Sequence, residues 1–301
     1  MSLVVLGVPS SAGAHGVGQE RAPAALRMAG LVDSLRAAGL DVDDAGDLEE
    51  VWFRPDPAHS KQQNLDQVVA VASRVATRVT SLIRQGHLPI VLGGDCTITL
   101  GVVAGLVEVD PEVSLVYFDG DVDLLTPVTT RSGILDGMVM AHLLGLEGAA
   151  SPLARLGSRH PLLAQSKVAM VGFEESDLEE PERAVLDLLS VHRYRATALR
   201  EDPTEVARRA LGSLGIENSR IVHFDVDAID STDCPLANYP HFNSGVTLDV
   251  ATAVLTEFCS APNLAALVIT EINPDHDRED VELRRLINSL IAVIASITPG
   301  R

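Results

Sequence analysis

Eight short apolar runs alternate with longer helical segments along this 301-residue chain, and that alternation restricts the fold more than any other feature. The runs are "LVVLGV" (3–8), "DVDDAG" (41–46), "PIVLGGD" (89–95) and "VSLVYFD" (113–119), then "VAMVGF" (168–173), "VHRY" (191–194), "IVHFDVD" (221–227) and "ALVITEI" (266–272). Helical periodicity marks 24–38, 65–85, 137–146, 182–189, 204–214, 248–258 and 281–297. Strands separated by helices predict an α/β fold with a mainly parallel sheet. Composition agrees. Hydrophobic residues make up 46% of the chain but aromatics only 3%, and the Val, Leu, Ala and Ile that remain suit strands buried on both faces. No repeat, linker or shift in composition divides the chain, so one domain over 1–301 is expected.

The net charge is −19. Phosphate contacts need Lys and Arg, so neither a nucleic acid nor an anionic membrane is an expected partner. Cys96, Cys234 and Cys259 form no disulfide-like pattern. The N-terminus has no basic segment before its short apolar stretch, and no apolar run approaches the roughly 20 residues of a membrane span. A reduced, cytoplasmic protein is expected.

Four of the runs end in polar clusters. "PIVLGGDCTITLG" supplies Asp95 and Cys96, and "VYFDGDVDLL" supplies Asp119, Asp121 and Asp123. "IVHFDVDAIDSTDCP" carries Asp225, Asp227 and Asp230, and "VITEINPDHD" carries Glu271 and Asn273. In open α/β sheets ligands bind beyond the carboxyl ends of the strands, so these ends are expected to converge. A lone Asp at a strand end is commonly a cap or turn residue, which is the reading for Asp95 and Asp230. Two D-x-D patterns on buried strands differ. Alternate residues project to one side, and at least five carboxylates in one buried region repel one another. A pair of divalent cations is the simplest neutraliser.

These residues resemble the ureohydrolase family of arginase, agmatinase and formimidoylglutamase. That family carries GGDH, D-A-H-x-D, D-x-D-x-x-D-P and E-x-N-P; here the stretches read "GGDC", "DGDVD", "DVDAID" and "EINP". The opening "GVPSSAGAHGVGQERAPAALRMAGL" and the loop "LLTPVTTRSGILDGM" extend the similarity over nearly the whole chain. The resemblance implies a three-layer αβα, arginase/deacetylase-like fold with an eight-stranded, mostly parallel sheet. It implies two Mn²⁺ ions that activate water to attack a guanidinium or amidine carbon. One ion would be held by Cys96, Asp119, Asp123 and Asp225, the other by Asp119, Asp121, Asp225 and Asp227. Glu271 would pair with the substrate guanidinium. Ser132 matches a residue that contacts the substrate carboxylate in arginase, and Asp177 and Glu180 match acids that contact its α-amino group. A homo-oligomer, trimer or hexamer, is also implied.

The departures bear on the chemistry. Cys96 and Asp121 stand where the family places metal-binding histidines, and Asp136 stands where it places a proton-shuttling histidine. None of the nine histidines falls at a family ligand position. His223 reads as a strand histidine with a local hydrogen bond, and His142 as helix packing. A thiolate favours Zn²⁺, whereas an all-carboxylate position suits Mn²⁺ or Mg²⁺. Asp136 can shuttle protons only if its surroundings raise its pKa. Leu125 and Ile134 replace polar residues of the carboxylate-reading loop, which argues against ordinary L-arginine. Two readings of function remain. One is a divergent hydrolase cleaving a C–N bond of a linear amidine or guanidino compound. The other is a catalytically altered or inactive descendant with weak, single or absent metal and a binding or repurposed role.

Overall fold

A computed structural model describes residues 2–215 and 217–297; positions 1, 216 and 298–301 of the expected domain span lie outside them. Its strands are β1 (Leu3–Val8), β2 (Val42–Asp47), β3 (Leu88–Gly93), β4 (Ser114–Phe118), β5 (Val168–Val171), β6 (His192–Tyr194), β7 (Arg220–Asp225) and β8 (Leu264–Thr270). They form one sheet in the order β2-β1-β3-β8-β7-β4-β5-β6. Every pairing between them is parallel. Each run expected as a strand is therefore a strand, and helices make the long crossovers that parallel neighbours require.

The sheet is buried on both faces. Val116 and Phe118 point to one core, with Val222, Phe224 and the helices Pro203–Leu214, Leu248–Ser260 and Val281–Ala295. Leu115 and Tyr117 point to the other, with Ile221, Val268 and the helices Leu65–Arg84 and Ile98–Val107. This alternation along one strand is the period-2 rule at work, and it produces the three-layer αβα arrangement. Phe118 packs on Phe224 with ring centroids 5.5 Å apart and meets Phe258 edge-on at 6.4 Å. Burying such a ring contributes roughly 2–3 kcal/mol.

Two helical expectations change. The segment 24–38 is two helices, Ala22–Met28 and Leu31–Ala37, because Gly30 adopts φ +89° between them. The helix Ile98–Val107 has no counterpart among the expected elements. All ten of its residues are buried, so it lacks the polar face that periodicity detects.

β3, β8, β7 and β4 are neighbours at the centre of the sheet. The register pairs Phe118 with Phe224, Phe224 with Ile269 and Leu92 with Ile269. Their carboxyl ends are thus level, and the residues that follow meet in one place.

Candidate active site

Short polar turns fix the residues beyond each strand. Asp119 Oδ1 accepts the Asp121 N–H at 2.7 Å, and Asp225 Oδ1 accepts the Asp227 N–H at 2.8 Å. The Gly120 N–H donates to Asp227 Oδ1 at 2.9 Å and ties the two motifs together. Gly94 lies so close to the first loop that a Cβ there would sit 2.2 Å from the Ser10 carbonyl oxygen. Asp95 accepts the N–H groups of Thr97 (3.0 Å) and Gly13 (3.1 Å), so it braces this loop. Asp230 accepts the Thr232 N–H at 3.0 Å and is likewise a turn residue. The Cys96 N–H donates to Asp136 Oδ1 at 2.7 Å, which draws the 3-10 turn Asp136–Met138 into the site.

Three groups of side chains bring their donor atoms within 4.8 Å of one another: Cys96, Asp119, His223 and Asp225; Asp121, Asp227 and His241; and Cys96, Asp136 and Glu271. The two D-x-D motifs, Cys96, Asp136 and Glu271 therefore converge. Asp123 lines the same cleft but stands outside these groups. It adopts φ +48°, and its Oδ2 accepts the Tyr117 hydroxyl. Ser132 and Asp177 also line the cleft. Glu180 does not: it is exposed at the first position of the helix Glu180–Leu186. Glu179 and Glu182, linked by a capping box, form that wall instead.

The electrostatics follow from burial. It pushes Asp119 up to about 7, with Asp121 adding to the effect, and raises Asp225 and Asp227 well above the usual carboxylate range. Asp136 rises for the same reason, reinforced by Glu271 and Asp95, and Glu271 reaches about 8. Burial and then Asp225, Asp136, Asp119 and Glu271 raise the Cys96 thiol, whose S–H donates to Asp225 Oδ2. His241 shifts upward. Burial opposes its charge, but Asp121, Asp227 and Asp119 outweigh burial and carry it to about 10.

The residues fit a cation pair. Asp119 Oδ2 and Glu271 Oε1 are buried without a hydrogen-bond partner. An acceptor left bare inside a protein is costly unless a ligand or ion meets it. Carboxylates, imidazoles and a thiol are the donors that divalent cations use.

Sequence reasoning passed over several of these residues. His223 does make its local bond, with Nδ1 2.8 Å from Thr99 Oγ1, but its other nitrogen faces the donor groups. Its position two residues before Asp225 was the available signal, because i and i+2 share a strand face. His241 reaches the site from a distant loop with no motif around it. His15 and Tyr239 stack at the cleft, with centroids 5.5 Å apart, and Gln19 Nε2 donates to Glu271 Oε2 at 3.0 Å. His142 is packing: its Nδ1–H donates to the Met138 carbonyl at 2.6 Å.

The likeness to known proteins runs the length of the chain. A family model described as the arginase family matches residues 1–296. Human Arginase-1 is 28% identical over 293 residues, covering 96% of this chain and 90% of its own. "Arginase, non-hepatic 3" of Xenopus laevis is 29% identical over 300 residues, covering 98% of this chain and 82% of its own. The crystal structure of arginase from Bacillus cereus superposes with a TM-score of 0.87 at 26% identity, covering 100% of this chain and 98% of that one. With the parallel αβα sheet, the converging Asp-rich motifs and a family match from end to end, this chain belongs to the arginase family of ureohydrolases.

Proposed function

We propose that the protein hydrolyses a C–N bond of a cationic guanidine or amidine whose tail carries an amine and no carboxylate. One observation carries this reading. Seven aspartates and three glutamates line the cleft, and among the described residues no lysine or arginine does. Such a funnel attracts cations and repels carboxylates. Leu125 and Ile134 on the same wall offer a substrate carboxylate no side-chain hydrogen bond.

Two divalent cations, of which Mn²⁺ is the family choice and Zn²⁺ or Mg²⁺ the alternatives, would supply Lewis acidity and a nucleophilic water near neutral pH. Cys96, Asp119, Asp121, Asp225 and Asp227 would contribute to holding them, with Asp123 on the same wall of the cleft. Glu271, with one oxygen held by Gln19 and the other free, receives the guanidinium. Burial, reinforced by Glu271 and Asp95, raises Asp136 well above the usual carboxylate range, which suits it to deliver a proton to the departing nitrogen. Asp177 and Glu179 meet the amine of the tail, and Ser132 lies beside it. A homo-oligomer in a reducing cytoplasm accords with the family and with three buried free cysteines.

A second reading has its own support. Protonated His241 and the raised carboxyl groups would neutralise the cluster without metal, as a non-hydrolytic binding protein requires. Metal analysis combined with urea or ammonia release on a panel of guanidines decides between them. Turnover highest for aminoalkyl guanidines and lower for arginine is expected. Preference for carboxylate-bearing substrates would sink the substrate assignment, and absence of both metal and turnover would favour the binding protein.

A further inference from the structure

Histidines are missing from the two ligand positions where the family pattern has them, and two other histidines occupy the adjoining space. His223, on β7, is fully buried and stacks on Tyr117 with ring centroids 4.2 Å apart. Its Nδ1 meets Thr99 Oγ1 at 2.8 Å. Its Nε2 faces the opposite way, 3.4 Å from Asp119 Oδ2 and 3.7 Å from Cys96 Sγ. His241 repeats the arrangement. Its Nε2 is 3.3 Å from Asp121 Oδ2 and 3.9 Å from Asp227 Oδ2, while its Nδ1 lies 3.6 Å from Asp177 Oδ2.

Thr99 engages His223 Nδ1 by a hydrogen bond and Asp177 faces His241 Nδ1 as a charged neighbour, and in both rings Nε2 is directed at carboxylates. A metal-binding imidazole is oriented in this way, because the outer partner fixes the tautomer and aims the lone pair. Gly120 makes room for the second ring. A Cβ there would stand 2.8 Å from His241 Cδ2 and 3.0 Å from its Nε2. In the first group Asp119 Oδ2 is buried and unpartnered, an acceptor awaiting a cation. Asp123, the ligand that the family pattern supplies, is turned toward Tyr117.

We propose that His223 and His241 are the nitrogen ligands of the cation pair, and that the two positions are chemically unequal. The inner position offers Cys96 Sγ, His223 Nε2 and the carboxylates of Asp119 and Asp225. The outer offers His241 Nε2 and the carboxylates of Asp121 and Asp227. A mixed sulfur, nitrogen and oxygen set selects Zn²⁺ or Co²⁺ over Mn²⁺, whereas the outer set also accepts Mn²⁺. Filling the inner position releases the thiol proton to solvent. The proposal rests on the metal-hydrolase reading and deepens it. Thr99 and Asp177 act here as positioning residues.

The metal-free full-length protein, titrated with Co²⁺, provides the test. The first equivalent is expected to show a thiolate-to-cobalt charge-transfer band, and the second to add none. Cys96→Ser abolishes the band. His223→Asn weakens the first equivalent about tenfold or more, and His241→Asn and Gly120→Ala weaken the second alone by about as much. His59→Ala, an exposed control, changes neither. Because His223 is packed in the core, pulsed electron paramagnetic resonance on wild type carrying one equivalent of Co²⁺ adds a readout without mutation: modulation from a coordinated imidazole nitrogen. Lack of that modulation, or variants that bind Co²⁺ like wild type, overturns these ligand assignments and leaves the hydrolase reading standing. A wild type that binds no cation overturns both.

Discussion

The two donor groups of the cleft are built from different material. Strand ends make the inner one: Asp225 and His223 lie on β7, Asp119 directly follows β4, and Cys96 follows β3. Turn and loop residues make the outer one: Asp121, Asp227 and His241. The same side chain behaves oppositely in each. Burial alone drives His223 down to about 3, whereas His241 rises to about 10 because three carboxylates outweigh its burial. A dry, strand-borne region offers a neutral imidazole at ordinary pH, and an acid-lined, loop-borne region offers a cation that must lose a proton first. His223 lies two residues from Asp225 on one strand, whereas His241 meets Asp121 across 120 residues, so closeness in sequence to the acid that a histidine faces does not determine which histidine reaches the site.

Four changes probe this contrast, in descending size. Asp225→Asn removes an inner ligand whose other oxygen also orients the Asp227 turn. Loss of both cations by metal analysis and about 10³-fold slower product release are expected; activity within tenfold of wild type would collapse the distinction. His142 supplies a reference, a buried histidine with no acid against it, which burial lowers from 6.5 to about 4. The unfolded chain takes up that proton first as the pH falls. The stability contribution is therefore complete above pH 6.5 and is lost as pH drops toward 4. His142→Gln should flatten that acid limb by up to about 3 kcal/mol, read from denaturant midpoints at several pH values. Glu271→Gln should lower kcat/KM for a cationic guanidine about 10²-fold and leave Co²⁺ stoichiometry unchanged. Last, Thr99→Val removes the partner that orients His223. About tenfold weaker binding of the first Co²⁺, with the second unaffected, is the expected result.

The fold was legible because its signals are local. Eight apolar runs bounded by turns became eight strands, and the amphipathic helices fell close to their periodic segments. The helix Ile98–Val107 escaped because burial all round erases the period. The acid cluster was legible for the same reason as the strands: each D-x-D follows an apolar run, and parallel topology brings such ends together. The histidines were not. His223 occupies a strand position where an apolar residue would be expected, and only its two-residue offset from Asp225 marked it. His241 pairs with Asp121 across 120 residues through loop geometry that no periodicity encodes. Glu180 was named from the family resemblance in an acid-rich stretch, where a match in sequence does not say which glutamate faces the cleft; the capping box of the helix Glu180–Leu186 puts Glu179 and Glu182 there instead.

The four strands that end at the cleft are interior strands, each flanked on both sides, and the edge strands β2 and β6 contribute nothing to it. Like charges gathered at such ends cannot relieve their repulsion by fraying, because no edge is free to peel. The amides of β3, β4, β7 and β8 should exchange with solvent deuterium only when the entire sheet opens. On that expectation the strand-borne half of the chemistry is seated in the slowest-exchanging part of the molecule.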